Sequence, residues 1–268
     1  MRRKPSVAGY FYPQKPRSLQ SMIERLVDPE AEKEKAVSII SPHAGYEYSG
    51  KVAGSVFSSV ILPKKYVIIG PSHSDAPTNL ALMKTGVWET PLGDVHVDTA
   101  MAELILENSI HVREDERSHL REHSIEVQLP FIQYFMRDIT IVPVSIAYQS
   151  SYQELEDLGQ AVSQSIRESG QNVMIVASTD MSHYVSQEVA EKKDFYAIEK
   201  ILELDAKGLY EVVNRENISM CGFQPATAAI MASKALGAKK AKLIRYQTSG
   251  DVSGNFQEVV GYAGIRIT

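Results

Sequence analysis

Four short β-rich runs constrain this chain more than anything else in it. Ala36 to Ile40, Tyr66 to Ile69, Thr140 to Ser145 and Val173 to Ala177 are apolar along their length instead of alternating with polar residues. Strands of that kind have both faces covered, as in a largely parallel sheet with helices above and below. Helical patterns fill the intervals: Ser49 to Val60, Thr99 to Asn108 after a capping Asp98-Thr99 pair, Ser124 to Met136, Tyr152 to Ser169 ending at Gly170, Gln187 to Leu204, and Gln224 to Leu236. Pro130 should kink or restart the third of these. Lys242 to Gln247 and Glu258 to Ile267 read as a hairpin turning around Ser249-Gly250-Asp251. The alternation predicts an α/β fold: a central, mostly parallel or mixed sheet flanked by helices on both faces, with an antiparallel pair at one edge. Internal repeats and low-complexity linkers are lacking, so residues 1–268 read as one domain.

Charge and composition narrow the function classes. The formal net charge is -5 and no basic tract runs beyond a few residues, which argues against nucleic acid as a partner. No apolar stretch approaches the length that spans a membrane. Met1-Arg2-Arg3-Lys4 is followed by Pro5 and Ser6 and not by an apolar segment, so a signal peptide is not expected. The single cysteine, Cys221, has no internal partner and fits a reducing, cytoplasmic setting.

In open α/β sheets, ligands bind beyond the carboxyl ends of the strands. Three of the four runs end on titratable residues there: the first leads to His43, the second to His73, the fourth to Asp180 and His183. A lone histidine is more often a satisfied structural residue than a ligand, but three strands ending this way point to a metal or catalytic cleft. If a helical turn begins at Ser178, Asp180 and His183 share a face, and the aspartate can orient the histidine and raise its basicity. Cys221 reads equally as a buried small hydrophobe or as a thiolate with a lowered pKa beside a histidine or metal. Glu122 and Glu126 around His123 are what a helix start attracts for its dipole alone, although His123 can still reach a cleft rim as an acid or base. His96, His111 and His119 read as surface or loop residues. Packing is the ordinary role for Tyr46 and Tyr48, with a pocket lining as the alternative.

The motifs together resemble the Memo family, which includes the B component of the AmmeMemoRadiSam system. They are Ala8-Gly9-Tyr10-Phe11-Tyr12-Pro13, Pro42-His43-Ala44-Gly45-Tyr46, Gly70-Pro71-Ser72-His73, Thr90-Pro91-Leu92-Gly93, Glu122-His123-Ser124-Ile125-Glu126, Ser178-Thr179-Asp180-Met181-Ser182-His183, Cys221-Gly222 and Val260-Gly261-Tyr262-Ala263. The resemblance runs nearly end to end. It implies a fold like that of class III extradiol dioxygenases, which are non-haem Fe(II) enzymes with two histidines and a glutamate on the metal. Here it implies His43, His73 and Cys221 as metal ligands, with Asp180 and His183 close by. A thiolate in place of the carboxylate argues against ring cleavage and opens the metal choice to copper and zinc as well as iron. The system's name implies a radical-SAM protein and an AMMECR-like protein as partners.

Three functions follow as expectations. The first is a metal-dependent oxidoreductase, with Fe(II) foremost, in which His183, Asp180 and His123 handle protons. The second is a non-enzymatic module that binds a peptide or small ligand in the same cleft, lined by Tyr46, Tyr48 and Trp88. The third is a cysteine nucleophile with His183 as base. In the first and third, the Cys221 thiol is expected to titrate below its free value.

Overall fold

The computed structural model describes residues 1–74 and 78–268. Among these, twelve strands form one sheet: β1 (Arg2–Arg3), β2 (Ser38–Ser41), β3 (Lys65–Pro71), β4 (Leu80–Leu82), β5 (Val87–Thr90), β6 (Gly93–Val97), β7 (Arg113–Glu114), β8 (Thr140–Ile146), β9 (Val173–Ser178), β10 (His183–Val185), β11 (Ala241–Thr248) and β12 (Val259–Ile267). The helices are α1 (Pro16–Leu26), α2 (Tyr46–Ser58), α3 (Thr99–Asn108), α4 (Leu129–Phe135), α5 (Tyr152–Ser169), α6 (Gln187–Leu202), α7 (Ala206–Arg215), α8 (Phe223–Ala235) and the single turn α9 (Gly250–Ser253). The main path of the sheet runs β1-β5-β6-β8-β3-β9-β2-β12-β10. Its centre, β8-β3-β9-β2, is parallel throughout, and β12 closes it antiparallel to β2.

The uninterrupted apolar runs are explained by two cores, one on each face. In β3, Val67 and Ile69 join one core while Tyr66 and Ile68 join the other, as the two-residue period of a strand demands. Ile39 and Ile40 divide the same way in β2. Helices α3, α5, α6, α7 and α8 cover the first face, and α1, α2 and α4 cover the second. Each fully buried aliphatic side chain contributes about 1.5–3 kcal/mol relative to an exposed one, so a strand buried on both faces anchors the sheet twice over.

Helix limits follow local chemistry. Ser151 and Glu154 form a reciprocal capping box at the start of α5, and Gly170 ends it with φ 62°, a left-handed turn that favours glycine. Asp98 caps α3 by accepting from the Met101 amide at 3.2 Å. Pro130 restarts the chain as expected: a 3₁₀ turn over Glu126–Gln128 precedes α4, and the proline sits in the first turn of α4, where no amide is needed. The hairpin β11–β12 is antiparallel, with α9 lying in its connection. No helix among the described residues is long and apolar enough to cross a membrane.

Candidate metal centre

The parallel strands end along one edge, and their following residues build the site. His43 follows β2 after Pro42, and His73 follows β3 after Ser72. His123 arrives on the segment 122–128, which laces beneath the strand ends. Ser124 Oγ donates to the Pro71 carbonyl at 2.9 Å, just before His73. Gln128 Nε2 donates to the Pro42 carbonyl at 2.9 Å, just before His43, and to Ser178 Oγ at 2.8 Å at the end of β9. This close passage requires Gly70, because a Cβ there would collide with the Ser124 hydroxyl.

The three imidazoles converge. One ring nitrogen from each of His43, His73 and His123 lies within 4.8 Å of the others, close enough to hold a metal ion. The rings of His73 and His123 are stacked, with centroids 4.6 Å apart, and His43 stands edge-on to both at 5.1 and 5.5 Å.

Hydrogen bonding fixes which nitrogens are available. Ser178 Oγ donates its one proton to the Ser124 carbonyl at 2.6 Å, so it must accept from His43 Nδ1–H at 2.9 Å. That leaves the lone pair of His43 on Nε2. Glu122 is buried and ionised. Its Oε1 accepts from His73 Nδ1–H at 2.9 Å and from the amides of His123 and Ser124, both at 2.8 Å, while Oε2 accepts from the His73 amide at 2.6 Å. His73 is thus also held with Nε2 free. Carboxylate- or hydroxyl-oriented imidazoles are the usual support of a metal ligand.

Electrostatics divides the trio. Burial, then the neighbouring His73 and His123, lowers the His43 pKa well below the ordinary histidine value. Burial lowers His123 as well, against the pull of Glu122. Burial works to lower His73 too, but the bond and charge of Glu122 outweigh it and leave His73 raised. Desolvation would raise Glu122, yet the His73 bond and the charges of both histidines hold it far below the carboxylate range.

A second wall faces His43. Cys221 Sγ lies 3.3 Å from His43 Nε2 and accepts from the Asp180 amide at 3.3 Å. Asp180 Oδ1 accepts from the His43 amide at 2.8 Å, and Oδ2 lies 3.9 Å from His43 Nε2. His183 is near enough that its charge bears on both Asp180 and His43.

Several expectations change on this geometry. His123, expected at the rim, is in the trio, and Cys221, expected among the ligands, lies 3.3 Å from His43 Nε2. Burial, and then the Asp180 charge, pushes the Cys221 thiol up instead of down. Residues 179–182 form no helical turn, so Asp180 does not orient His183. Ser219 does, accepting from His183 Nδ1–H at 2.8 Å through its carbonyl, while its hydroxyl accepts from the His183 amide at 2.7 Å. Tyr46 and Trp88, expected as a pocket lining, are buried in the interior. The Tyr46 ring is buried in the core with its hydroxyl on the Val127 carbonyl at 2.6 Å, and Trp88 is sealed beneath Arg3 with its indole N–H on Met83 Sδ. Tyr48 lines a groove of about 270 Å³ with Tyr10 and Phe11. His119 is not a surface residue; it is fully buried, with Nε2–H on the Ala81 carbonyl at 3.2 Å. Glu122, which holds His73 and the His123 amide, is hard to single out from sequence, because an acid at a helix start already has an explanation. Its signal was the pairing with His123 and with the strand-end histidines.

Comparisons with known proteins bear on the family and the fold. A family model described as Memo-like protein matches residues 3–266. A MEMO1 family protein of Methanothermobacter thermautotrophicus is 42% identical over 98% of this chain and 99% of its own length. Another, from Pyrobaculum arsenaticum, is 44% identical over 98% of both. Among solved structures, an uncharacterized protein of Escherichia coli K12 shares the fold, with a TM-score of 0.53 and 13% identity over 85% of this chain and 99% of that one.

Proposed function

The chain belongs to the Memo-like protein family, and from that premise we propose that it is a metal-dependent oxidoreductase-type protein whose His43, His73 and His123 hold a divalent transition ion, iron(II) foremost. The observation that carries this is the shared clamp: one ionised, buried carboxylate, Glu122, orients His73 and carries the His123 amide, while Ser178 fixes the tautomer of His43. Three imidazoles without a fixed cation among them fit iron, copper or zinc and leave coordination positions open. When bound, the ion would supply Lewis acidity and, if iron or copper, one-electron chemistry.

The chain's own groups do the rest. Cys221 keeps its proton because burial and Asp180 disfavour the thiolate. Asp180 is itself raised by burial. His183, with Nδ1–H committed to Ser219, presents Nε2 as a proton acceptor on the wall beside Asp180. The resemblance to extradiol dioxygenases supports iron, and the family context adds a cytoplasmic setting with radical-SAM and AMMECR-like partners.

Untagged protein, handled anaerobically and reduced, tests the reading. Near-stoichiometric iron that is lost in His73→Ala and His123→Ala is the expected result. Protein that takes up none of Fe(II), Zn(II) or Cu, or that keeps its metal in both variants, overturns it. One observation favours a second reading, a peptide-binding module: a groove is lined by Tyr10, Phe11 and Tyr48, and the Phe11 ring stands edge-on to His123 at 4.9 Å. A metal-free protein with a saturable peptide ligand would establish that alternative.

A further inference from the structure

The guanidinium of Arg3 is fully buried, and the proposed chemistry makes no use of it. All of its strong bonds go to one stretch of chain. Nε donates to the His119 carbonyl at 2.7 Å, Nη1 to Glu126 Oε2 at 2.7 Å, and Nη2 to the Glu122 carbonyl at 2.5 Å. The face of the guanidinium lies 4.0 Å over the Trp88 ring. Arg3 therefore grips both flanks of the Glu122-His123 pair, including the backbone of the clamp residue itself. The segment that begins with Arg3 then continues around the site. The amides of Ser6 and Val7 and the hydroxyls of Ser6 and Tyr12 all donate to Glu126. Phe11 stands edge-on to His123, and its carbonyl accepts from the Tyr46 amide at 2.8 Å, on the loop that carries His43.

Resting on the metal reading above, we propose that Arg3 is a positioning residue for the trio, and that docking of residues 3–12 and binding of the ion strengthen each other. The planar fork of arginine spans three acceptors at once, which a lysine cannot do. A shift of the 119–126 loop moves His123 and the carboxylate of Glu122 together, so the ion reads the docking of Arg3 through both. Such coupling is reciprocal: whatever Arg3 lends to the ion, the ion returns to residues 3–12.

Co(II), followed by its visible absorption under anaerobic conditions, is the probe. Arg3→Met is expected to lower Co(II) affinity by at least about tenfold, as loss of an outer-shell partner does, and Arg3→Lys to recover part of it. Leu158→Ala, in α5 on the opposite face of the sheet, should lower the melting temperature yet leave Co(II) affinity unchanged. In the wild type, Zn(II) should slow hydrogen exchange at the Ser6 and Val7 amides. If Arg3→Met does not fold, Tyr12→Phe, which removes one bond to Glu126, carries the same comparison. A wild type that binds Co(II) beside folded Arg3→Met or Tyr12→Phe variants that bind it equally well overturns this inference alone. A wild type that takes no Co(II) overturns the metal reading and this inference with it.

Discussion

Each wall of the cleft carries one buried carboxylate beside an imidazole, and the two behave oppositely. On one wall, His73 and His123 share a carboxylate held far below its ordinary pKa, and the backbone beneath them is laced to three strand ends. On the other, Asp180 and Cys221 are both pushed towards their protonated forms by burial. The difference lies in donors. Glu122 accepts four hydrogen bonds, two from His73 and two from the amides of His123 and Ser124. Asp180 accepts from the His43 amide, and its other oxygen faces a His43 imidazole that burial keeps neutral. Burial costs charge in both places, and the imidazole donor and imidazole charges beside Glu122 decide that it keeps its own. One wall is thereby suited to present lone pairs, the other to store protons.

The sharpest way to break this contrast is Glu122→Gln. An amide in that place cannot accept all four bonds, so metal affinity should fall about 10–100-fold, read by competition with a chelator. An unchanged affinity would mean that the clamp is ornamental. The next effect is on stability. His119 is buried neutral, and desolvation lowers its pKa from 6.5 to about 4. A lowered folded value means that the unfolded chain binds more protons between these limits. The stability is complete above pH 6.5 and is lost as pH falls from there towards 4, by up to about 3 kcal/mol. His119→Gln should flatten thermal melts across that window, whereas a slope that persists would place the titrating group elsewhere. Smaller again is Cys221→Ser, which should change metal affinity only a few-fold, since the sulfur lies outside the trio. A loss as large as that of His123→Ala would move the thiol into the ligand set and erase the distinction between the walls. Alkylation of Cys221 at neutral pH should be slow for the same reason. His111→Ala, at a half-buried residue outside the trio whose amide donates to Asp157, should leave metal content unaltered.

Much of the fold could be read from the residues because burial on both faces leaves a mark that needs no partner to interpret. The runs in β2, β3, β8 and β9 carry it, and α3 and α5 announce themselves through their caps. What escaped depends on neighbours. β1 is two arginines, with no preference for a strand, and it becomes one by pairing with Val87 and Trp88 and burying Arg3. β4 to β7 are two to five residues each, too short for any period to show. α1 and α7 do carry signals: Pro16 at the first turn with Leu19 and Ile23 on one face, and Asp205 capping onto the Gly208 amide. The α7 cap is masked because Leu204, in a left-handed turn at φ 54°, ends the preceding helix where the apolar pattern still continues. At the site, the strand-end histidines were visible for the topological reason that places ligands there. The roles of Glu122 and His123 were not, because hydrogen-bond partners far apart in sequence decide them.

The seam between β2 and β12 sets a clock on assembly. Ser38, Ile39 and Ile40 pair with Ile267, Arg266 and Ile265, residues from opposite ends of the sequence. Until the last strand is in place, β2 has one flank bare, and the loop that carries His43 hangs from an unfinished edge. Contacts of such long range are slow to form, since the chain must close on itself before they stabilise anything. The clamp of Glu122 on His73 closes over 49 residues, so it asks less of the chain than the β2–β12 seam that steadies the His43 loop. On the metal reading proposed above, an ion that needs all three histidines would bind only once that seam has formed.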